Sequence, residues 1–121
     1  MSLPVVRRYT LAAPAALNTF GNLTDDITTQ APFTLFSPNQ IQDIVNDPDP
    51  AAGLRYEFRL LKNGSETPVK VFSSSISPAT AGRVAYGPVN MSVGQYIWTG
   101  AQRAGALTAT SIIVKYAQPV A

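Results

Sequence analysis

From Leu54 onward the chain alternates. Leu54, Tyr56, Phe58 and Leu60 fall on one side and Arg55, Glu57 and Arg59 on the other, the period of two that marks a half-buried strand. Asn63-Gly64 follows, a strong signal for a tight hairpin turn. Val69, Val71 and Ser73, set against Lys70 and Phe72, predict the return strand. Further strands are predicted over Val5–Ala12, Phe33–Phe36, Arg83–Tyr86, Val89–Met91, Gln95–Ala101 and Leu107–Tyr116, with residues 13–30 read as a long loop holding one short strand. Turn signals at Gly87-Pro88, Val93-Gly94 and Arg103-Ala104-Gly105 separate the later elements. Strands spaced by about 8–12 residues predict an all-β fold, a single antiparallel β-sandwich of about seven or eight strands.

One segment breaks the pattern. Ser37 suits an N-cap, Pro38 the first helical position, and Gln40 stands three residues after Ser37, a capping-box arrangement. Ile41, Ile44 and Val45 then recur at i, i+3 and i+4, and Pro48 and Pro50 end the run. This spacing predicts a short helix near residues 38–46.

Composition narrows the chemistry. The chain of 121 residues fits one domain, 1–121, with its ends at 1–8 and 118–121 expected to serve as extended arms. It has no Cys and no His. That excludes disulfides, thiolate nucleophiles, imidazole bases and zinc sites built on those ligands. Only 13% of residues are charged, against about 25% in ordinary soluble domains. There is no P-loop and no G-x-G-x-x-G, so the expectation is a protein that is not an enzyme and uses no cofactor. No apolar run reaches the ~18 residues of a membrane-spanning helix. Arg7 and Arg8, with Pro4 before them, sit where a signal peptide needs its apolar stretch. The sequons at Asn22, Asn63 and Asn90 are therefore read as chance.

Charge is unevenly distributed. Arg7 and Arg8 stand against Asp25, Asp26, Asp43, Asp47 and Asp49 in residues 1–53, a balance of −3. Arg55, Arg59, Lys62, Lys70, Arg83, Arg103 and Lys115 stand against Glu57 and Glu66 in the remainder, a balance of +5. Two such parts attract each other, within a chain or between copies. Arg55, Arg59, Lys62 and Lys70 fall on one predicted hairpin and form a possible basic strip for phosphates. A nucleic-acid-binding barrel built on it ranks third, because the N-terminus lacks a long basic arm. Asp43, Asp47 and Asp49 offer oxygen atoms without the spacing of a calcium loop, and turn chemistry accounts for them better than a metal. Glu57 and Glu66 read as surface salt-bridge partners rather than a hydrolytic pair. Tyr96 and Trp98, at i and i+2, read first as core and second as a sugar-stacking platform, which gives a carbohydrate-binding module as the alternative function.

The last two predicted strands are nearly free of charge. Ile97, Thr99, Ala101, Leu107, Ala109 and Ile113 fall on what would be outward positions. A large exposed apolar patch marks an interaction site, so these six are the candidate interface residues.

The stretch from Gly82 to Pro119 carries a resemblance. Val89-Asn-Met-Ser-Val-Gly-Gln-Tyr-Ile-Trp98 turns one strand into the next, and Ser111-Ile-Ile-Val-Lys-Tyr-Ala-Gln-Pro119 closes the chain. These segments resemble the last strands of jelly-roll proteins. With the low charge and the richness in Ala, Thr, Ser, Gly and Pro, the chain is similar in style to bacteriophage virion structural proteins: small capsid, penton or decoration proteins. The resemblance implies a jelly-roll sandwich located in the virion and made in the host cytoplasm. It implies packing against copies of itself and other virion proteins, with no catalytic residue and no small-molecule substrate.

Overall fold

The computed structural model describes residues 5–47, 54–75 and 89–117. Ten strands run through them: β1 (Val5–Leu11), β2 (Gly21–Asn22), β3 (Thr24–Asp25), β4 (Pro32–Leu35), β5 (Asn39–Asp47), β6 (Arg55–Lys62), β7 (Lys70–Ser75), β8 (Val89–Met91), β9 (Gly94–Ala104) and β10 (Thr110–Ala117). The excess over the predicted seven or eight comes partly from β2 and β3, two residues each, inside the segment read as a loop with one short strand. The predicted strand over Arg83–Tyr86 and the terminal segments 1–4 and 118–121 lie outside the described residues.

The strands form two antiparallel sheets. One has the order β3-β1-β10-β5-β8; the other has β2-β9-β6-β7, with β4 also paired to β9. The pairing is nested. β1 pairs with β10, β4 with β9, β5 with β8 and β6 with β7. Two further ladders, β10 with β5 and β6 with β9, join these pairs side by side. The segment Val5–Arg8, expected as part of an arm, is hydrogen-bonded within the first sheet opposite Ile113–Tyr116.

Period-two patterning decides what enters the core. Tyr56, Phe58 and Leu60 of β6 are buried, as are Tyr9 and Leu11 of β1, and Ile112, Val114 and Tyr116 of β10. All belong to one cluster with Trp98, Tyr96, Phe72 and Met91, so the two sheets share a single core. On the return strand it is Phe72 that points inward, while Val69 and Val71 are exposed. The Asn63-Gly64 turn forms as read: both residues have positive φ, and Ser65 N–H donates to the Lys62 carbonyl at 3.0 Å.

The predicted helix near 38–46 is not there; that segment is β5. Tyr116 stands opposite Ile41 and Lys115 opposite Asp43, which leaves Gln42 as the extra residue of a β-bulge. A bulge inserts one position into the alternation, so Ile41 and Ile44, three apart, both point inward and both are fully buried. The i, i+3 spacing that suggests a helix is the signature of this irregular strand. Three β-branched residues, Ile41, Ile44 and Val45, also favour the extended form.

Candidate interaction surface and inter-sheet cleft

The outer face of the second sheet divides into two halves. In one, Thr99 and Ala101 of β9 are buried although they point away from the core. Their cover comes from the segment between β1 and β2. Asn18 N–H donates to the Gln102 carbonyl at 2.8 Å, and Arg103 Nη1 donates to Asn18 Oδ1 at 3.0 Å. The Phe20 ring lies against two guanidinium groups, with Arg59 Cζ 4.0 Å and Arg103 Cζ 5.0 Å from its centroid. Glu57 draws the same two arginines together, accepting from Arg59 Nε at 2.8 Å and lying 3.2 Å from Arg103 Nη2. Segment 12–20 is thus strapped over half of the sheet by an aromatic ring between two cations that share one carboxylate.

The other half is open and apolar. Pro32 stands opposite Ile97, and Ile97 opposite Leu61, all three on the outward side. Val69 and Val71, 40% and 43% exposed, continue that surface onto β7. Phe36 and Val93 immediately follow and precede the Leu35–Gly94 pair, at the same end of the sheet. Phe36 is 84% exposed and Val93 53%. The exposed polar pair Thr34–Gln95 separates Phe36 and Val93 from Pro32 and Ile97, so the face carries an apolar row with a second exposed apolar pair at its end, the kind of surface that marks an interaction site.

The six candidate interface residues are therefore not one patch. Ile97 lies in the open half. Thr99 and Ala101 lie under the strap. Ile113 is half-buried on the outer face of the other sheet, between Arg8 and Val45 in register. Leu107 and Ala109 are exposed in the β9–β10 loop. That loop is held by buried Gln102, whose Nε2 donates to the carbonyls of Ala104 and Ala106 and whose Oε1 accepts from Thr108 N–H. Phe20, Phe36 and Leu61 were not singled out by the sequence pattern.

The four residues of the possible basic strip also separate. Arg55 and Arg59 point outward, and Arg59 is engaged by Glu57 and Phe20. Lys70 shares the side of buried Phe72 at the sheet edge, opposite Leu60. Lys62 reaches Ser92 Oγ and lies 5.7 Å from the Tyr96 ring centroid. Glu66 is exposed in the hairpin loop. Tyr96 and Trp98 are both buried, in line with their first reading as core and against the second, a sugar-stacking platform. Asp43 and Asp47 lie along β5, and Asp49 is outside the described residues. Among the described residues no group of three or more acidic side chains converges as a metal site.

A cleft of ≈ 220 Å³ opens between the sheet edges at β3 and β4, with Pro32 of the open half-face at its border. Its apolar walls are Tyr9, Phe33 and Tyr116, with Phe33 stacked on Tyr96 at 5.8 Å between centroids. At the base, Trp98 Nε1 donates to Tyr116 Oη at 2.9 Å, and the Tyr9 and Tyr116 hydroxyls are 2.8 Å apart. Burial pushes both phenols well above their ordinary value. Arg7 shares the inward side of β1 with Tyr9, and its guanidinium lies 3.7 Å from Asp25 Oδ2. Asp25 Oδ1 meanwhile accepts from the backbone N–H groups of Ile27 and Thr28. No helix among the described residues is long and apolar enough to cross a membrane.

No protein-family model, curated protein or solved structure matches this chain.

Proposed function

We propose that this protein is a non-enzymatic structural component of a virus particle, of the kind found in bacteriophage shells, built on a jelly-roll β-sandwich and working by packing against copies of itself and other virion proteins. The observation that carries this reading is the open apolar row of Ile97, Leu61, Val69 and Val71, with the exposed Phe36 beyond the Thr34–Gln95 pair at the end of the same face. In water such a surface is costly to leave uncovered, and a second protein surface removes that cost. The nested pairing supports the jelly-roll reading. A chain whose first strand meets its last, and whose pairs close inward into two sheets, has the order of two Greek keys.

The mechanism is burial of a fixed, preformed patch. The strap keeps Thr99 and Ala101 covered in the single chain, so contact is confined to the open half and register between copies is defined. Low charge density at the patch reduces the desolvation that association has to overcome. Electron microscopy of the concentrated protein tests the reading. Rings or closed shells are expected for the native chain, and their loss in Phe36→Ser with the fold retained. Dispersed single molecules under all conditions contradict it.

A further inference from the structure

The inter-sheet cleft has the chemistry of a small-ligand site, and it does not depend on the assembly reading. Two polar groups in it are underused. Arg7 brings a guanidinium with five N–H donors, yet its one polar contact among the described residues is the 3.7 Å approach to Asp25, longer than a hydrogen bond. Asn39 is 4% exposed; its Oδ1 accepts from Gln40 N–H at 2.8 Å, while its Nδ2 meets no acceptor among the described residues. A buried amide donor left unsatisfied is costly, and it stands in the cleft wall with the Arg7 donors.

The character of the ligand follows from the walls. Arg7 and Asp25 cancel in charge, so the site has no net attraction for an ion. The half-buried Phe33 ring offers the apolar surface, with Tyr9 and Tyr116 buried beside it, while the Thr28 hydroxyl and Gln30 amide add polar groups at the rim. The volume of ≈ 220 Å³ falls below the ~300–1,000 Å³ that drug-sized ligands occupy, which restricts the occupant to one compact ring. An aromatic wall beside amide, hydroxyl and guanidinium donors matches a molecule with an apolar C–H face and a rim of hydroxyl oxygens. We propose that the cleft between β3 and β4 binds a single neutral sugar ring, a pyranose, with Asn39 and Arg7 donating to its oxygen atoms and Phe33 lining its apolar face.

The test uses the full chain and a panel of methyl β-glucopyranoside, methyl β-galactopyranoside, N-acetylglucosamine, glucuronate and cyclohexanol. Binding is read by saturation-transfer NMR and by the emission of Trp98, the only tryptophan, which touches the cleft through Tyr116. Saturable binding of at least one neutral pyranose is expected, with a shift in Trp98 emission. Affinity is expected to fall about tenfold in Asn39→Ala, the effect of one lost hydrogen bond of ~1.4 kcal/mol. Gln30→Ala, at an exposed position that tolerates change, is expected to weaken binding about threefold and keeps the test open if Asn39→Ala does not fold. Saturable binding of no neutral sugar overturns the proposal. So does equal binding of cyclohexanol, binding of glucuronate alone, or affinity unchanged in the folded variants.

Discussion

Trp98 Nε1 lies 2.9 Å from Tyr116 Oη, a hydrogen bond that ties the middle of one sheet to the last strand of the other. Tyr116 also meets the Tyr9 hydroxyl at 2.8 Å, so one phenol oxygen closes a chain of three buried polar groups. Such chains stabilise only when every member is satisfied. Replacing Tyr116 by Phe strands the indole N–H and is expected to cost about 2–3 kcal/mol; Tyr9→Phe removes only an end of the chain and is expected to cost about 1 kcal/mol. Urea unfolding of the two variants measures the difference.

The same phenols set an alkaline limit. Burial raises the pKa of Tyr9 and Tyr116 above 10.0 in the folded chain, and the unfolded chain keeps the ordinary value. Above pH 10 the unfolded state therefore binds fewer protons than the native one, and stability falls as pH rises. Below pH 10 both states hold these protons and the contribution is constant. The expected outcome is a tyrosine titration in which the late-ionising groups appear together with loss of the fold, followed by ultraviolet absorbance and circular dichroism in parallel. Ionisation of all tyrosines near pH 10 with the fold intact would contradict it.

The strap predicts a coupled loss. Phe20→Ala removes the ring between Arg59 and Arg103 and is expected to destabilise the protein by about 1–2 kcal/mol. It also uncovers Thr99 and Ala101, so limited proteolysis is expected to cut within residues 12–20 much faster than in the native chain. Glu57→Gln leaves both arginines without their shared carboxylate, and a smaller effect of about 1 kcal/mol is expected, weakened further by salt.

The bulge at Gln42 separates residues that a helix would treat alike. Ile44 points into the core and Val45 does not. Ile44→Ala is expected to cost about 2–5 kcal/mol, whereas Val45→Ser is expected to cost about 1 kcal/mol or less. Similar large losses at both positions would mean that both face the core.

The strands with regular alternation were legible from the residues alone, because each buried position sits two from the next: Tyr56, Phe58 and Leu60 are the example. The Asn63-Gly64 turn was legible for the same local reason. β5 was misread because a bulge mimics helical spacing at Ile41 and Ile44, and only the ladder with β10 reveals the extra residue. The strap was invisible because Phe20 lies in a segment without periodicity, far in sequence from Arg59 and Arg103. Ile97 was recognised as outward-facing; what the sequence could not convey is that Thr99, two residues on, is covered by a distant part of the chain. The cleft was missed altogether, since Arg7, Asp25, Asn39 and Tyr116 converge only through the pairing of β1 with β3 and β10 and of β10 with β5.

The most direct measurement is the mass of the purified protein in solution by light scattering, taken over a range of concentration and salt for the native chain and for Phe36→Ser. The native chain is expected to rise from the 12.9 kDa monomer to a defined multiple as concentration increases, and the variant to remain near the monomer mass. A native chain that stays at the monomer mass throughout, with Phe36→Ser indistinguishable from it, contradicts self-assembly through the open half-face.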